Sequence, residues 1–465
     1  MMMADLWIAA PLLLLATGAI VVLLLGALRH ERTAGLVALL VLLAAAAWIL
    51  LPPPALLAPT LGLAATPLAR LFSLLFCLAS AAALLLARND ATRRGITGEE
   101  YPATLLFATF GMLALSGATN LLILFLGLEA MTFGFYILVA IDLKQGSTSE
   151  AGLKYLVLGA LAAAFLAFGI ALLYAGTGTL ALERVLLLSH TSRIAQLGWG
   201  FLLIGVAFKL SLVPAHLWTP DIYQAIPAPV AALLSTASKA AALLALLLIL
   251  PYGDAALLHR PLQALALLSM LLGNLAALLQ GNIRRMLAYS SIAQMGYVVL
   301  ALLSGSQGGY SAAAFYAAAY LLMGLATFGA LTLMEQGGCS TDLASYRGQG
   351  FAQPLPAAIL GLGLFALAGI PPTAGFTGKF LIFSAAITAN EIPLAVLGIL
   401  SAAVSAYYYL RVVVVLYMHP AEGATSAKPS SGEIAVVLLV AFLLLLAGLW
   451  PTPLLQQLSL TFPLR

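Results

Sequence analysis

Residues 207–218 read AFKLSLVPAHLW, and residues 367–380 read LAGIPPTAGFTGKF. Each carries a lysine, Lys209 or Lys379, inside an apolar stretch. Each also sets proline close by: Pro214 five residues after Lys209, Pro371 and Pro372 just before Lys379. Proline withdraws a backbone donor and clashes with the preceding turn, so each stretch is expected to be a broken helix. A third lysine, Lys239, lies in PAPVAALLSTASKAAALLALLLIL (227–250), twelve residues past Pro227. A charge at the centre of a bilayer costs roughly 3 kcal/mol on insertion scales. A chain that is only 8% charged places these three lysines there. Such residues are poor anchors and poor packing groups, and the default reading is a proton or ion path.

Working outward, the 465 residues are 63% hydrophobic, with a mean hydropathy of +1.09. Runs of about twenty apolar residues recur from end to end, which reads as an all-α polytopic membrane protein. The short alternating segments of a membrane β-barrel do not occur. The count is about fourteen spans, the seventh over 195–218, the eighth over 227–250 and the twelfth over 355–385. Broken spans in corresponding places point to inverted repeats and a midplane site. The seventh and twelfth lie five spans apart, so we expect two inverted five-helix repeats. The division is then an N-terminal three-helix segment (1–100), repeats over 101–250 and 251–420, and a C-terminal helix (421–465).

The net charge of +4 is no nucleic-acid signal; the basic residues sit at membrane edges. Loops after odd-numbered spans hold Arg29, Arg32, Arg88, Arg93, Arg94, Lys144, Arg284, Arg285, Arg347 and Lys428. The other side holds Arg184, Arg193, Arg260 and Arg465. The positive-inside rule puts the first set in the cytoplasm and both termini in the periplasm. The start, MMMADLW, has Asp5 and no early Lys or Arg, the reverse of a secretory signal. Cys77 and Cys339 lack ligand-like neighbours and read as structural. No Walker, CxxCH or zinc spacing occurs, so no cofactor or metal is expected in this chain.

Glu129, in LLILFLGLEAMTFGFYILV (121–139), is a carboxylate as costly in a membrane as a lysine, and its cheapest state is paired or protonated. Lys154, in EAGLKYLVLGA (150–160), either lies inside the membrane or snorkels to its edge. Ser235 and Thr236 can share the face of Lys239 and hold water beside it. Burial favours a neutral amine and a nearby carboxylate favours the ammonium, so moving the partner switches a lysine between holding and releasing a proton. The plainer reading of Glu129 and Lys209 is an ion pair that only fixes helices. His216, in PAHLWTPD (214–221), reads as an entry relay or an interfacial histidine, and Asp221 as a helix-terminus residue. Arg284 and Arg285 read as membrane anchors, and Tyr407, Tyr408 and Tyr409 as packing.

The stretch FKLSLVPAHLWTPDIYQAIPAPVAALLSTASKAA (208–241) resembles the signature of the antiporter-like membrane subunits of respiratory complex I, and so do GNIRRMLAYSSIAQMGYVVLAL (281–302) and LAGIPPTAGFTGKFLIF (367–383). The resemblance covers about residues 100–420. It implies a Glu129–Lys209 pair between the fifth and seventh spans, with Lys154, Lys239 and Lys379 in the sixth, eighth and twelfth. These form part of a polar axis along the membrane arm. Lysine at 379 and the absence of a long lateral helix favour the N-type, subunit 2 branch. Some relatives carry histidine where Gln294 stands, and glutamine cannot titrate. The implied function is proton translocation within an NADH:quinone oxidoreductase of the bacterial inner membrane. FMN, iron–sulfur clusters and the quinone site would belong to partner chains. The partners would be another antiporter-like subunit and small helical membrane subunits. Rivals are a cation/proton antiporter subunit, a membrane subunit of a ferredoxin- or hydrogenase-linked relative, and a structural scaffold.

Overall fold

The computed structural model describes residues 2–28, 31–52, 62–96, 98–250, 256–420, 429–459 and 461–462. Arg29, Lys428 and Arg465 of the charge census lie outside them. Among the described residues the regular elements are all helices, without a β-strand. In chain order the helices are α1 (Met2–Ala27), α2 (Glu31–Leu50), α3 (Pro67–Arg94), α4 (Glu100–Ser116), α5 (Leu121–Val139), α6 (Gly146–Thr177), α7 (Leu182–Leu188) and α8 (Arg193–Lys209). Next come α9 (Trp218–Ala225), α10 (Ala228–Ser235), α11 (Ala237–Ile249), α12 (Ala256–Leu278), α13 (Ile283–Leu302) and α14 (Gln307–Gln336). The last are α15 (Gln349–Ala352), α16 (Pro354–Ala368), α17 (Ala374–Thr388), α18 (Ile392–Tyr417), α19 (Ser431–Leu449) and α20 (Thr452–Ser459). Ten helical stretches among the described residues are long and apolar enough to cross a membrane, the α10–α11 pair counted as one.

The helices gather into two compact units. One holds α1, α2, most of α3, α4 to α8, and α11; the other holds α9, α10, α12 to α20, and Leu85–Asp90 of α3. In the first unit α4 packs on α5, α6 on α8, and α11 against α4, α5 and α8. Membrane helices gain little from apolar burial against lipid, so close backbone approach does the packing, and that requires small residues. A Cβ on Gly111 would lie 2.2 Å from the Met131 nitrogen, and one on Gly127 2.6 Å from the Leu115 nitrogen. These glycines bring α4 and α5 together and fix the level of Glu129 two residues on. Gly111→Ala is expected to force the helices apart at a cost of about 1–3 kcal/mol. Thermal denaturation in detergent checks this, and an unchanged midpoint would refute it. In the second unit α14 is central, packing against α10, α13, α16, α17, α19 and α20.

Both proline-bearing stretches are interrupted. After α8 the chain leaves the helix over 210–217, where Ser211 takes a φ of 59° and the Val213–Pro214 bond is cis. Backbone groups freed in a membrane need partners. The Ser269 hydroxyl accepts from the Val213 N–H at 2.9 Å, and the His216 carbonyl accepts from the Thr219 N–H at 3.0 Å. After α16, Gly369 ends the helix with a φ of 87°, and the Ile370 carbonyl accepts from the Thr373 hydroxyl at 2.7 Å. The eighth stretch, expected as one helix over 227–250, is divided at Thr236 (φ −119°, ψ −69°). Ser235 and Thr236 both donate to the Ala232 carbonyl, at 3.1 and 2.6 Å. Two side-chain donors on one carbonyl compete with the helical ladder, a bending device that the sequence reading missed.

Candidate functional site

In the first unit α5 and α8 bring two opposite charges together. Lys209 is the last residue of α8, where unsatisfied carbonyls favour a cation. Its Nζ lies 3.0 Å from Oε1 of Glu129, and it donates to the Thr132 hydroxyl at 2.5 Å. Thr132 in turn donates to the Leu128 carbonyl at 2.6 Å. The ammonium therefore faces a carboxylate and a hydroxyl that can only accept from it. Lys209 is 5% exposed and Thr132 fully buried. Sequence reasoning missed Thr132, although its spacing of three residues from Glu129 puts both on one helix face. One turn on, Tyr136 meets Tyr155 of α6 edge to face at 4.9 Å and closes that side.

Lys239, also in this unit, is fully buried in the first turn of α11. Lys154 is not gathered in. Its side chain is 47% exposed and pairs with Glu150, one turn away, at 2.8 Å. The buried face of α6 near Lys154 is instead Thr148, Ala151, Gly152, Tyr155 and Gly159.

The second unit holds Lys379. From the second turn of α17 it reaches back across the interruption and donates to the Leu367 and Ala368 carbonyls at 2.7 and 3.1 Å. Those are orphan carbonyls at the α16 C-terminus, where the helix dipole favours positive charge. The stem passes over Gly369, where a Cβ would lie 3.0 Å from Lys379 Cδ. Nζ stands 5.1 Å from the centroid of the Tyr297 ring, a cation–π distance. A helix end and a ring face hold this ammonium.

Around it runs a buried polar network that the sequence did not show. Gln294 donates to the Leu367 carbonyl at 3.0 Å and to the Tyr409 hydroxyl at 3.1 Å, and accepts from Tyr316. Tyr409 also bonds Ser290. Tyr408 donates to Asn274 at 2.9 Å, and Asn274 donates to the Tyr297 hydroxyl at 2.8 Å. Tyr408 and Tyr409 are thus network members, a correction to the packing role expected of them. Tyr407, 66% exposed, points away.

His216 lies half-buried in the 210–217 interruption. Asp221, on α9, pairs with Arg285 at 2.6 Å. Arg284 is buried: Nε donates to Glu335 at 2.8 Å, Nη2 reaches the same carboxylate, and Nη1 reaches the Ile226 carbonyl at the end of α9. It is an internal clamp rather than a surface anchor. Both cysteines are free and buried. Among the described residues no His, Cys, Asp or Glu cluster could hold a metal.

Paired and helix-end-bound ammonium groups beside broken helices can store a proton and change its affinity when a partner moves. Residues 118–405 match the family described as NADH:quinone oxidoreductase/Mrp antiporter, TM. NADH-quinone oxidoreductase subunit N of Geotalea uraniireducens (strain Rf4) is 57% identical over 462 residues, 98% of each chain. A chain of respiratory complex I from Thermus thermophilus superposes with a TM-score of 0.84 at 35% identity, covering 96% of this chain and 98% of that one. A chain of the membrane-bound sulfane sulfur reductase, an archaeal respiratory membrane complex, superposes with a TM-score of 0.89 at 28% identity, over 99% of this chain and 98% of that one. The chain belongs to the NADH:quinone oxidoreductase/Mrp antiporter transmembrane family, among its subunit N members.

Proposed function

We propose that this chain is a proton-translocating subunit of an NADH:quinone oxidoreductase in the bacterial inner membrane. The observation that carries the reading is the buried Glu129–Lys209 pair at the end of a broken helix, in a chain 57% identical to a subunit N. The chain crosses the bilayer fourteen times, with both termini periplasmic and two inverted five-helix repeats. A redox-driven change in a neighbouring membrane subunit opens or closes the pair. Lys209 then releases or takes up a proton, Lys239 accepts the proton or its electrostatic influence, and Lys379 passes it toward the next subunit. His216 relays protons from the cytoplasmic side, and Lys154 lies where α6 meets lipid or a partner. FMN, iron–sulfur clusters and the quinone site are in partner chains, which include another antiporter-like subunit and small helical subunits.

The likeness to the sulfane sulfur reductase chain favours one second reading, a membrane subunit driven by another electron input. Affinity purification of the tagged chain from its own membranes separates the two. NADH oxidation coupled to quinone reduction is expected to co-purify; a complex that purifies intact without it refutes the NADH assignment.

A further inference from the structure

Pro11 lies inside α1 and has no N–H to give the Trp7 carbonyl four residues before it. The Trp48 indole of α2 supplies a donor at 3.1 Å, and the two rings stand 6.3 Å apart. Two residues beyond Trp48, α2 ends, and its orphan carbonyls need partners. Arg70, in the first turn of α3, provides them. Its Nε and Nη2 donate to Ile49 at 3.2 and 3.0 Å, and Nη2 also reaches Leu50 and Leu51 at 3.3 and 3.0 Å. Between these elements and α4 lies a cleft of about 470 Å³, walled by Trp7, Ile8, Leu12, Trp48, Ala69 and Leu113 beside Arg70. That volume is in the range of small-molecule sites. Ala64 and Gly117 also line it and are tied together, N–H to carbonyl, at 2.7 Å.

The hydroxyls of the cleft are spent on each other: Ser73 and Ser116 share a hydrogen bond at 2.6 Å, and Ser116 donates to the Leu113 carbonyl at 2.8 Å. What it offers an occupant is hydrocarbon wall and one charge. Carbonyl oxygens satisfy hydrogens of Arg70 without cancelling its charge, and Nη1 is the nitrogen they do not engage. A guanidinium at a helix end, flanked by two tryptophans, stands where phospholipid headgroups lie. Only 33% of the apolar window of α1, and of α2, is buried, so the cleft is walled by helices whose other faces turn outward. A soluble anion would leave the apolar wall wet, and a neutral hydrocarbon would leave the charge without a counterpart. We infer that the cleft seats one acyl chain of an anionic phospholipid, with its phosphate on Arg70. Such a lipid staples α1 to the α2–α3 junction, because the same guanidinium already holds the end of α2. None of the residues that line the cleft is among the proton-carrying groups.

The test uses the purified whole complex in detergent, with a trace of phosphatidylglycerol that carries a photoactivatable diazirine on one acyl chain. Labelled peptides are mapped by mass spectrometry and normalised to assembled complex. Label is expected on Trp7–Leu12 of α1 and Ala69–Ser73 of α3. Unlabelled phosphatidylglycerol is expected to displace it at about a tenfold lower concentration than diacylglycerol, which has no phosphate, or phosphatidylcholine, whose own cation offsets its phosphate. Arg70→Gln is expected to erase that preference. Arg70→Lys loses the fork on the α2 carbonyls but keeps the charge, and is expected to keep most of the preference. Ile8→Trp fills the cleft and is expected to abolish the label with Arg70 in place. Label outside these two segments would overturn the site. So would displacement by diacylglycerol, phosphatidylcholine or a quinone as readily as by phosphatidylglycerol, or displacement by glycerol phosphate alone. A loss in Arg70→Lys as large as in Arg70→Gln would also overturn it, and would reduce Arg70 to a clasp on α2.

Discussion

Lys209→Met is expected to abolish the proton transport of this subunit while the complex still assembles, and Glu129→Gln to reduce it severely. In the first, the switchable ammonium is gone. In the second, the ammonium keeps Thr132 but loses the charge that moves its proton affinity. Removing one partner of a buried ion pair also destabilises, by about 3–5 kcal/mol, because the other charge is left uncompensated. That cost must be separated from function. The double variant Lys209→Met/Glu129→Gln carries no buried charge at the pair, so much of the lost stability should return while transport stays lost. Coupled proton uptake per NADH oxidised, measured with the denaturation midpoint, reads both. Normal uptake in either assembled single variant would rule out the pair as a switch, and uptake that recovers with stability would reduce it to a structural bond.

The second large effect is expected at a position with no part in proton movement. Arg284→Ala strips two donors from Glu335 and one from the Ile226 carbonyl. Both acceptors are then left in a site where Glu335 is 9% exposed. About 3–5 kcal/mol of destabilisation follows, enough to deplete the subunit from membranes. Lysine should not rescue, since a point charge cannot match the two-pronged contact with the carboxylate and still reach Ile226. Quantifying the chain in membranes and its thermal midpoint in detergent checks this; wild-type values in Arg284→Ala would refute the clamp.

What the residues gave away in advance follows one rule: features that are locally anomalous can be read, and features that depend on which helix faces which cannot. Proline near a charge in an apolar run is anomalous anywhere, so both interruptions were legible. Glu129 and Lys209 stand out for the same reason; their pairing is what the family resemblance implies, and they lie 3.0 Å apart. Thr132, Gln294 and Asn274 are unremarkable in sequence, because a polar neutral residue in a membrane helix acquires meaning only from its tertiary partners. Tyr407, Tyr408 and Tyr409 are indistinguishable as letters; helix phase sends one outward and two into the network. The division at Thr236 was missed because it contains no proline, only hydroxyls bonded to a carbonyl within their own turn. Arg284 reads as an anchor because a census of positive residues counts charges and not their depth.

Gly369 closes α16 in a left-handed conformation and lies beneath the stem of Lys379. In genetic terms, two unrelated requirements coincide at one codon. Any other residue there meets the penalty of a left-handed backbone, and its Cβ asks the lysine stem to give by a few tenths of an ångström. A substitution at 369 is therefore felt at Lys379 as well as in the backbone, although residue 369 carries no titratable group of its own.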